Sequence, residues 1–541
     1  MNNLSLLLLS VCFFFLTGCA QKQLIDTASF DKALENGQAA NEGFKNCMAF
    51  VQGWLAQADT VTGLIPRNLD NDKDIWNAKD AAADNYPFMV MTAALLDSAL
   101  YHGKMRDMLE TEQRLTSRVG ALPDTYSFSK RDFANENVEM DEIIFGTSEY
   151  IKDGLVPLTE LLGKTPWFDR MQGMLDDLYE QTGVVKAMKH EGLSNAAEEE
   201  VNGELMQTLS RMYWITQDKK YLDWATEIGD YYLLGDHLPT RDMEYLRMRD
   251  HGCEVISGLC EVYVAVSYAD AAKKEAYQQP IHAMLDRILE VGRNEHGLFY
   301  NAINPITGEV VGDGIADTYG YTYNGYYSVY LVDGEEKYRE AVRQAMESLN
   351  THYKNYAWEG ESSDGYADAI ESALNLYNRE PIPSVASWID SEIRVMWGKQ
   401  QPDGIIEGWH GDGNFARTTL MYCLWKTQGL QISHWREDVI YGAQKSGDTL
   451  QVALQANESW EGKLIFDPPR HREVLGLPLD YPRINQFPEW FVAEAGKTYE
   501  VRNIRQHTGK VYTGKELQEG ISLAIIPDEP TWLTVNEIID N

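Results

Sequence analysis

Eight carboxylates recur at one kind of place in this sequence. Asp84, Glu204, Asp250, Glu254, Asp313, Asp317, Asp364 and Asp412 stand in polar, Gly-rich or aromatic clusters that open strongly apolar helical runs. The same clusters hold the cations Arg249 and Arg417, the histidines His251 and His410, and the aromatic residues Tyr319, Tyr321, Tyr323 and Trp409. Breaking a glycosidic bond needs two carboxyl groups, a protonated acid at the leaving oxygen and a base or nucleophile. Aromatic rings stack on the apolar faces of sugars, while carboxylates and amides bind the hydroxyls. The inventory fits carbohydrate chemistry and calls for no metal and no cofactor.

Each cluster also admits a plainer role. An Asp before an apolar run caps orphan backbone N–H groups, which applies to Asp84, Asp364 and Asp412. Glu204, in Glu200-Val201-Asn202-Gly203-Glu204-Leu205, complements a helix dipole. If it faces a ring axis it is desolvated, and its pKa rises toward an acid's working range. Arg247-Met248-Arg249-Asp250-His251-Gly252-Cys253-Glu254 is the densest mixed-charge stretch. It reads as a structural ion-pair network, or as a site where an Arg clamps a sugar carboxylate bidentately. Tyr319 to Tyr327 alternates Tyr with Gly, which is poor helix material and points to ligand contact rather than core packing.

Other signals fail on inspection. Asp70-Asn71-Asp72-Lys73-Asp74 imitates a calcium loop, but Ile75 stands where Gly is needed and Ala81 where Glu is needed. Gly411-Asp412-Gly413-Asn414 lacks the Lys of a phosphate loop. No Gly-x-Ser-x-Gly or His-Glu-x-x-His occurs.

The elements that must position these residues are mostly helices. Tyr221, Trp224, Ala225, Ile228, Tyr231 and Tyr232 share one helical face, as do Tyr338, Ala341, Val342, Ala345, Met346 and Leu349. Short polar corners such as Gln217 to Lys220 and Asp333 to Glu336 join these helices to neighbours that are apolar nearly all round. Strict alternation of buried and amphipathic helices predicts an α/α toroid of six or seven hairpins over residues 30–432. All the inner-helix starts then fall at one end, so clusters far apart in the chain meet in one bowl. After about residue 433 the pattern changes to short alternating runs punctuated by Pro468, Pro469, Pro478, Pro482 and Pro488. That predicts a β-sandwich-like, antiparallel domain over 433–541.

The chain has 541 residues, with 83 Asp and Glu against 47 Lys and Arg, a net charge of −36. That field repels phosphate and excludes nucleic acid as a partner. Residues 1–18 hold a short apolar run, Leu4 to Leu16, too short to span a bilayer. It ends in Leu16-Thr17-Gly18-Cys19, which resembles a bacterial lipobox with Cys19 as the lipidated, palmitate-bearing residue. Residues 19–29 read as a tether, and an outer-membrane anchor on the periplasmic side is expected. Cys47, Cys253, Cys260 and Cys423 show no zinc-site spacing and read as buried free thiols.

Pro66-Arg67, Asp84-Asn85-Tyr86-Pro87-Phe88, the Glu200–Glu204 stretch, Arg249-Asp250-His251-Gly252 with Glu254, and Tyr319 to Asn324 together resemble polysaccharide-utilisation enzymes of Bacteroidetes. The pattern is similar to glycoside hydrolase family 154, exo-β-glucuronidases acting on plant and algal side chains. The resemblance implies exo-hydrolysis of a terminal uronic acid from an oligosaccharide or polysaccharide. From the residues themselves, Glu204 is expected as acid or base, with Asp250 or Glu254 as its partner. Arg249, His251 and Arg417 would hold the sugar carboxylate, and Tyr319, Tyr321 and Tyr323 would wall the subsite. Asp84, Asn85, Asn324, Asp364 and His410 complete the expected substrate contacts. Carboxyls about 6.5–9.5 Å apart would give inversion, and about 5–5.5 Å retention. Two alternatives share these clusters. One is a uronate lyase using His251, Tyr323, Asn324 and Arg249, and the other is a glycan-capture lipoprotein without catalysis.

Overall fold

The computed structural model describes residues 27–182, 195–527 and 529–539. The lipobox and Cys19 lie outside the described residues.

The helices alternate between two concentric rings. The outer ring comprises α1 (Thr27–Gln57), α3 (Arg106–Thr116), α6 (Pro166–Thr182), α8 (Lys219–Leu233), α10 (Ala271–Val291), α12 (Glu336–His352) and α14 (Pro383–Trp397). The inner ring comprises α2 (Tyr86–Leu96), α4 (Met140–Glu149) continued by α5 (Val156–Leu162), α7 (Asn195–Thr216), α9 (Glu254–Ala269), α11 (Tyr319–Asp333), α13 (Ser363–Arg379) and α15 (Asp412–Thr427). Each inner helix packs on the next, and α15 returns to α2 and α1, so the ring closes with seven hairpins among the described residues.

The sequence explains both rings. Outer helices bury one stripe, as α12 does through Tyr338, Ala341, Val342, Ala345, Met346 and Leu349. Inner helices are buried on every side, as α15 is from Gly413 to Thr427 apart from Asn414. Glycines permit the close crossings inside the ring. A Cβ on Gly203 of α7 would stand 2.3 Å from the Glu254 backbone, and one on Gly320 of α11 would stand 2.5 Å from Ser372 of α13. The corners end as helices should: Gly334 closes α11 in the left-handed region, and the Asp218 side chain caps α8.

Two turns of π-helix interrupt the first two inner segments, at Ala78–Asn85 and Tyr150–Leu155. They pack against each other. Such turns insert a residue into the helical register and re-aim the side chains around it.

The C-terminal region forms two antiparallel sheets. Its strands are β1 (Gln431–Ile432), β2 (Val439–Ser446), β3 (Thr449–Ala456), β4 (Trp460–Ile465), β5 (Thr498–Asn503), β6 (Thr508–Thr513), β7 (Ile521–Ile525) and β8 (Thr531–Glu537). One sheet runs β2-β3-β8-β5-β6 and the other β7-β4-β1. The first lies on α1, where Gly37 and Gly442 bring the two backbones together. The connection between β4 and β5 does not stay with the sheets. Residues 480–487 enter the toroid, where Arg483 pairs with Glu160 at 2.6 Å and the Tyr481 hydroxyl donates to Glu261 at 3.0 Å. The four free cysteines described, Cys47, Cys253, Cys260 and Cys423, are all buried. Among the described residues no helix is long and apolar enough to cross a membrane.

Candidate active site

The inner-helix starts surround a cavity of about 290 Å³. Lys79, Asp80 and Asp84 come from the first π turn, and Phe145, Glu149 and Asp153 from the α4 segment and the second π turn. Asp250 and Glu254 enter from the start of α9, Thr318 and Tyr321 from α11, Asp364 and Asp368 from α13, and Asn414 and Arg417 from α15. Arg67, Glu359, Trp409, His410 and Gly411 complete the rim from loops. The chain therefore brings together stretches more than 300 positions apart. Of the sequence-predicted residues, Asp84, Asp250, Glu254, Tyr321, Asp364, His410 and Arg417 line this one cavity.

Its floor is a buried carboxyl cluster. Oxygens of Glu149, Asp153 and Glu204 lie within 4.8 Å of one another. Glu204 is fully buried and neither of its oxygens has a hydrogen-bond donor. Burial, reinforced by the Asp153 and Glu200 charges, holds its pKa well above the usual carboxylate range. Glu149 is raised in the same way, by burial and then by Glu204 and Glu200. Positive charge comes from Lys152, whose ammonium lies 2.8 Å from Asp153 and also pairs with Glu254. Burial opposes that charge, but Asp153 and Glu254 more than offset it and keep the ammonium protonated. Asp153 also accepts from the Asn485 amide at 2.8 Å.

The opposite wall belongs to α13 and α15. Capping of α13 falls to Ser362, whose hydroxyl accepts from Gly365 N–H at 2.9 Å, so Asp364 is not the cap. Asp364 accepts one bond from the Asn414 amide at 2.7 Å. Burial and the neighbouring Asp368 carboxylate raise its pKa well above the ordinary value. Asp368 itself pairs with Arg417 and accepts from the Tyr321 hydroxyl at 3.1 Å. Arg417 also contacts Glu371 at 2.8 Å, and burial pushes Glu371 up to about 7.

Several expected contacts are corrected by the packing. Glu204 is buried and does not line the cavity, on the stretch of α7 that Gly203 lets approach α9. Glu254 reaches the cavity but is tied to Lys152 and Gln207. Tyr319 and Tyr323 are core residues: their hydroxyls donate to the carbonyls of Ala369 and Gly297. Asn324 and Asn85 are likewise buried away from the cavity. The Tyr–Gly alternation serves ring packing, with Gly320 and Gly325 admitting Ser372 and Cys260. Arg249 pairs with Glu359 and stands 3.9 Å from Asp317, off the cavity wall. Arg417 lines the cavity, yet Asp368, Glu371 and Asn414 occupy its guanidinium. His251 lies in the turn Asp250–Cys253, and its side chain is outside the described residues. Asp412 is structural, accepting from the N–H groups of Ile406, Glu407 and Gly408 and from Trp54. Tyr323 and Asn324, two of the four residues expected to serve a uronate lyase, are thus withdrawn from the cavity.

Sequence reasoning missed Glu149, Lys152, Asp153, Asp368 and Asn485. The available signal was Glu149, Lys152, Asp153 and Glu160 inside an otherwise apolar inner run, where charges have no place unless paired or functional. Among the described residues at this cavity, two groups have the spacing of metal ligands, Glu149-Asp153-Glu204 and Asp80-Asp84-His410. A cationic side chain already stands at each: Lys152 against Asp153 at the first, and Arg67 at 2.6 Å from Asp80 at the second.

No family profile and no curated protein matches the chain. Among solved structures, an inactive variant of an α-1,6-mannanase of glycoside hydrolase family 76 from Salegentibacter sp., in complex with α-1,6-mannotetrose, is similar. It is 10 % identical, covers 70 % of this chain and 98 % of its own, and has a TM-score of 0.40. A family 76 mannosidase from Bacteroides thetaiotaomicron is 10 % identical over 72 % of this chain and 98 % of its own, with a TM-score of 0.39. A cellobiose 2-epimerase from Bacillus thermoamylovorans is 12 % identical over 58 % and 87 %, with a TM-score of 0.37. Likeness of this degree transfers no residue and no activity to the present chain.

Proposed function

We propose that the protein is a glycoside hydrolase acting on the end of a glycan chain, with Asp364 as general acid and Asp153 as its carboxylate partner. The observation that carries this reading is the pairing of unlike environments on one cavity. Asp364 is released from capping and is kept protonated by burial and by Asp368. Asp153 faces an ammonium and an amide, both of which donate to it. A buried carboxyl beside a carboxylate and a second carboxyl beside an ammonium, on one cavity, fit the paired acids of glycosidic cleavage. Trp409, Tyr321 and Phe145 supply ring faces and Asn414 an amide for the sugar. The inserted segment 480–487 closes the cavity from beneath through Asn485 on Asp153 and Arg483 on Glu160.

The terminal sugar we propose is a uronic acid. Its carboxylate would face Lys79, whose ammonium lies over the Phe145 ring and 3.4 Å from Glu142, with Arg67 and His410 held at Asp80 on the same cavity. This takes the place of the contact expected from Arg249. The test is a panel of oligosaccharides ending in either a uronic or a neutral sugar, reading free monosaccharide and unsaturated product. Release of saturated uronate supports the reading. Release of a neutral sugar alone removes the uronate assignment, and an unsaturated product removes hydrolysis.

Lipid anchoring at Cys19 remains part of the proposal, supported by Leu16-Thr17-Gly18-Cys19. Palmitate labelling in a bacterial host that is abolished by Cys19→Ser would bear it out, and labelling that persists would refute it.

A further inference from the structure

We infer that the C-terminal region completes the active site, and that Asn485 is the positioning residue through which it does so. This rests on the hydrolase reading above. Asn485 sits at the tip of the inserted segment, almost fully buried, with a backbone φ of 57°. That left-handed conformation is one Asn tolerates better than most residues. It lets the two nitrogens of one residue serve two sides of the floor. The Asn485 N–H donates to Glu371 at 2.7 Å, and its side-chain amide donates to Asp153 at 2.8 Å. Glu371 in turn lies 3.2 Å from the Tyr321 hydroxyl, which it shares with Asp368, and contacts Arg417 at 2.8 Å. Tyr321 and Arg417 are the two groups that hold Asp368 beside Asp364. A single residue from outside the toroid thus fixes Asp153 directly and reaches the surroundings of Asp364 through Glu371.

The rest of the segment anchors that residue to the ring. Arg483 is sealed from solvent and pairs with Glu160. The Arg483 carbonyl accepts from Asn375 at 3.3 Å, the Ile484 carbonyl from Arg211 at 3.4 Å, and the Pro482 carbonyl from Ser328 at 3.3 Å. These contacts reach α5, α7, α11 and α13. Without the segment Glu160 would lose the Arg483 guanidinium, and a buried carboxylate deprived of its donor is costly. The helical region alone is therefore an incomplete catalyst.

The experiment uses the full chain and a glycan that the wild type hydrolyses. Asn485→Gly keeps the φ and the N–H to Glu371 but deletes the amide. Asn485→Asp replaces a donor to Asp153 with a like charge. Because Asn485 is not on the cavity wall, the expected result for Asn485→Gly is a kcat at least about tenfold lower with KM within about twofold, the pattern of a lost transition-state interaction. Asn485→Asp is expected to move the acid limb of the pH–rate profile to higher pH, because a neighbouring carboxylate raises the pKa of Asp153. A purely structural role would lower the melting temperature without moving that limb. Folded variants with wild-type kcat and an unmoved profile overturn the inference while leaving the hydrolase reading intact. A wild type that cleaves no glycan overturns the hydrolase reading and this inference with it.

Discussion

The carboxyl groups of Glu204 and Asp153 lie within 4.8 Å of each other, one sealed beneath the cavity floor and the other facing the cavity. That proximity decides how Glu204 titrates. Its folded pKa is raised, by burial first and then by the Asp153 charge, so the folded state holds a proton that the unfolded chain releases above about pH 4.3. The associated stability is complete below that pH and is lost as the pH climbs through the folded value. Glu204→Gln removes the titration and keeps the shape. The melting temperature of Glu204→Gln relative to wild type should rise progressively from pH 4 upward. A constant difference across pH would mean that Glu204 is not protonated in the folded protein.

Asp364→Asn deletes the proposed acid. The loss in kcat/KM should be about 10²–10⁴-fold on a natural glycan. It should shrink on an aryl glycoside whose leaving group needs no proton. Equal losses on both substrates would assign Asp364 to binding instead of proton transfer.

Trp409 stands half-buried at the rim, its indole N–H donating to Glu407 at 3.0 Å. Trp409→Ala removes a ring face and no titrating group. KM should rise by about tenfold, or about 1.4 kcal/mol, with kcat little changed. A fall in kcat at constant KM would place this ring in the transition state rather than in substrate binding.

Arg483 and Glu160 form an ion pair with both side chains out of solvent. Arg483→Ala leaves the Glu160 charge uncompensated and should cost about 3–5 kcal/mol of stability. Denaturant unfolding measures it. Arg483→Ala combined with Glu160→Ala should recover part of the loss, since no orphaned charge remains.

The architecture was legible because helical periodicity reports burial directly. The one-sided stripe of α12 and the all-round burial of α15 are visible in sequence, and so is the gathering of inner-helix starts at one end. Individual roles were less legible, because a residue type does not reveal which way its side chain points. Tyr319 and Tyr323 look like a sugar platform but pack into the ring, and only Tyr321 between them reaches the cavity. Asp153 was missed because it stands midway along an inner segment, re-aimed by a π turn that hydrophobic patterning does not encode. Asn485 was missed because its partners lie 332 and 114 positions away, across a boundary that sequence texture marks as a change of domain.

The most direct test of the account is Asp153→Asn, assayed on a glycan that the wild type cleaves. The expected kcat is lower by at least about 10³-fold, a scale that fits loss of a catalytic carboxylate. Glycan binding by calorimetry should persist and the melting temperature should stay within a few degrees of wild type. Turnover within tenfold of wild type in a folded Asp153→Asn protein would contradict the assignment of this cavity as the catalytic centre.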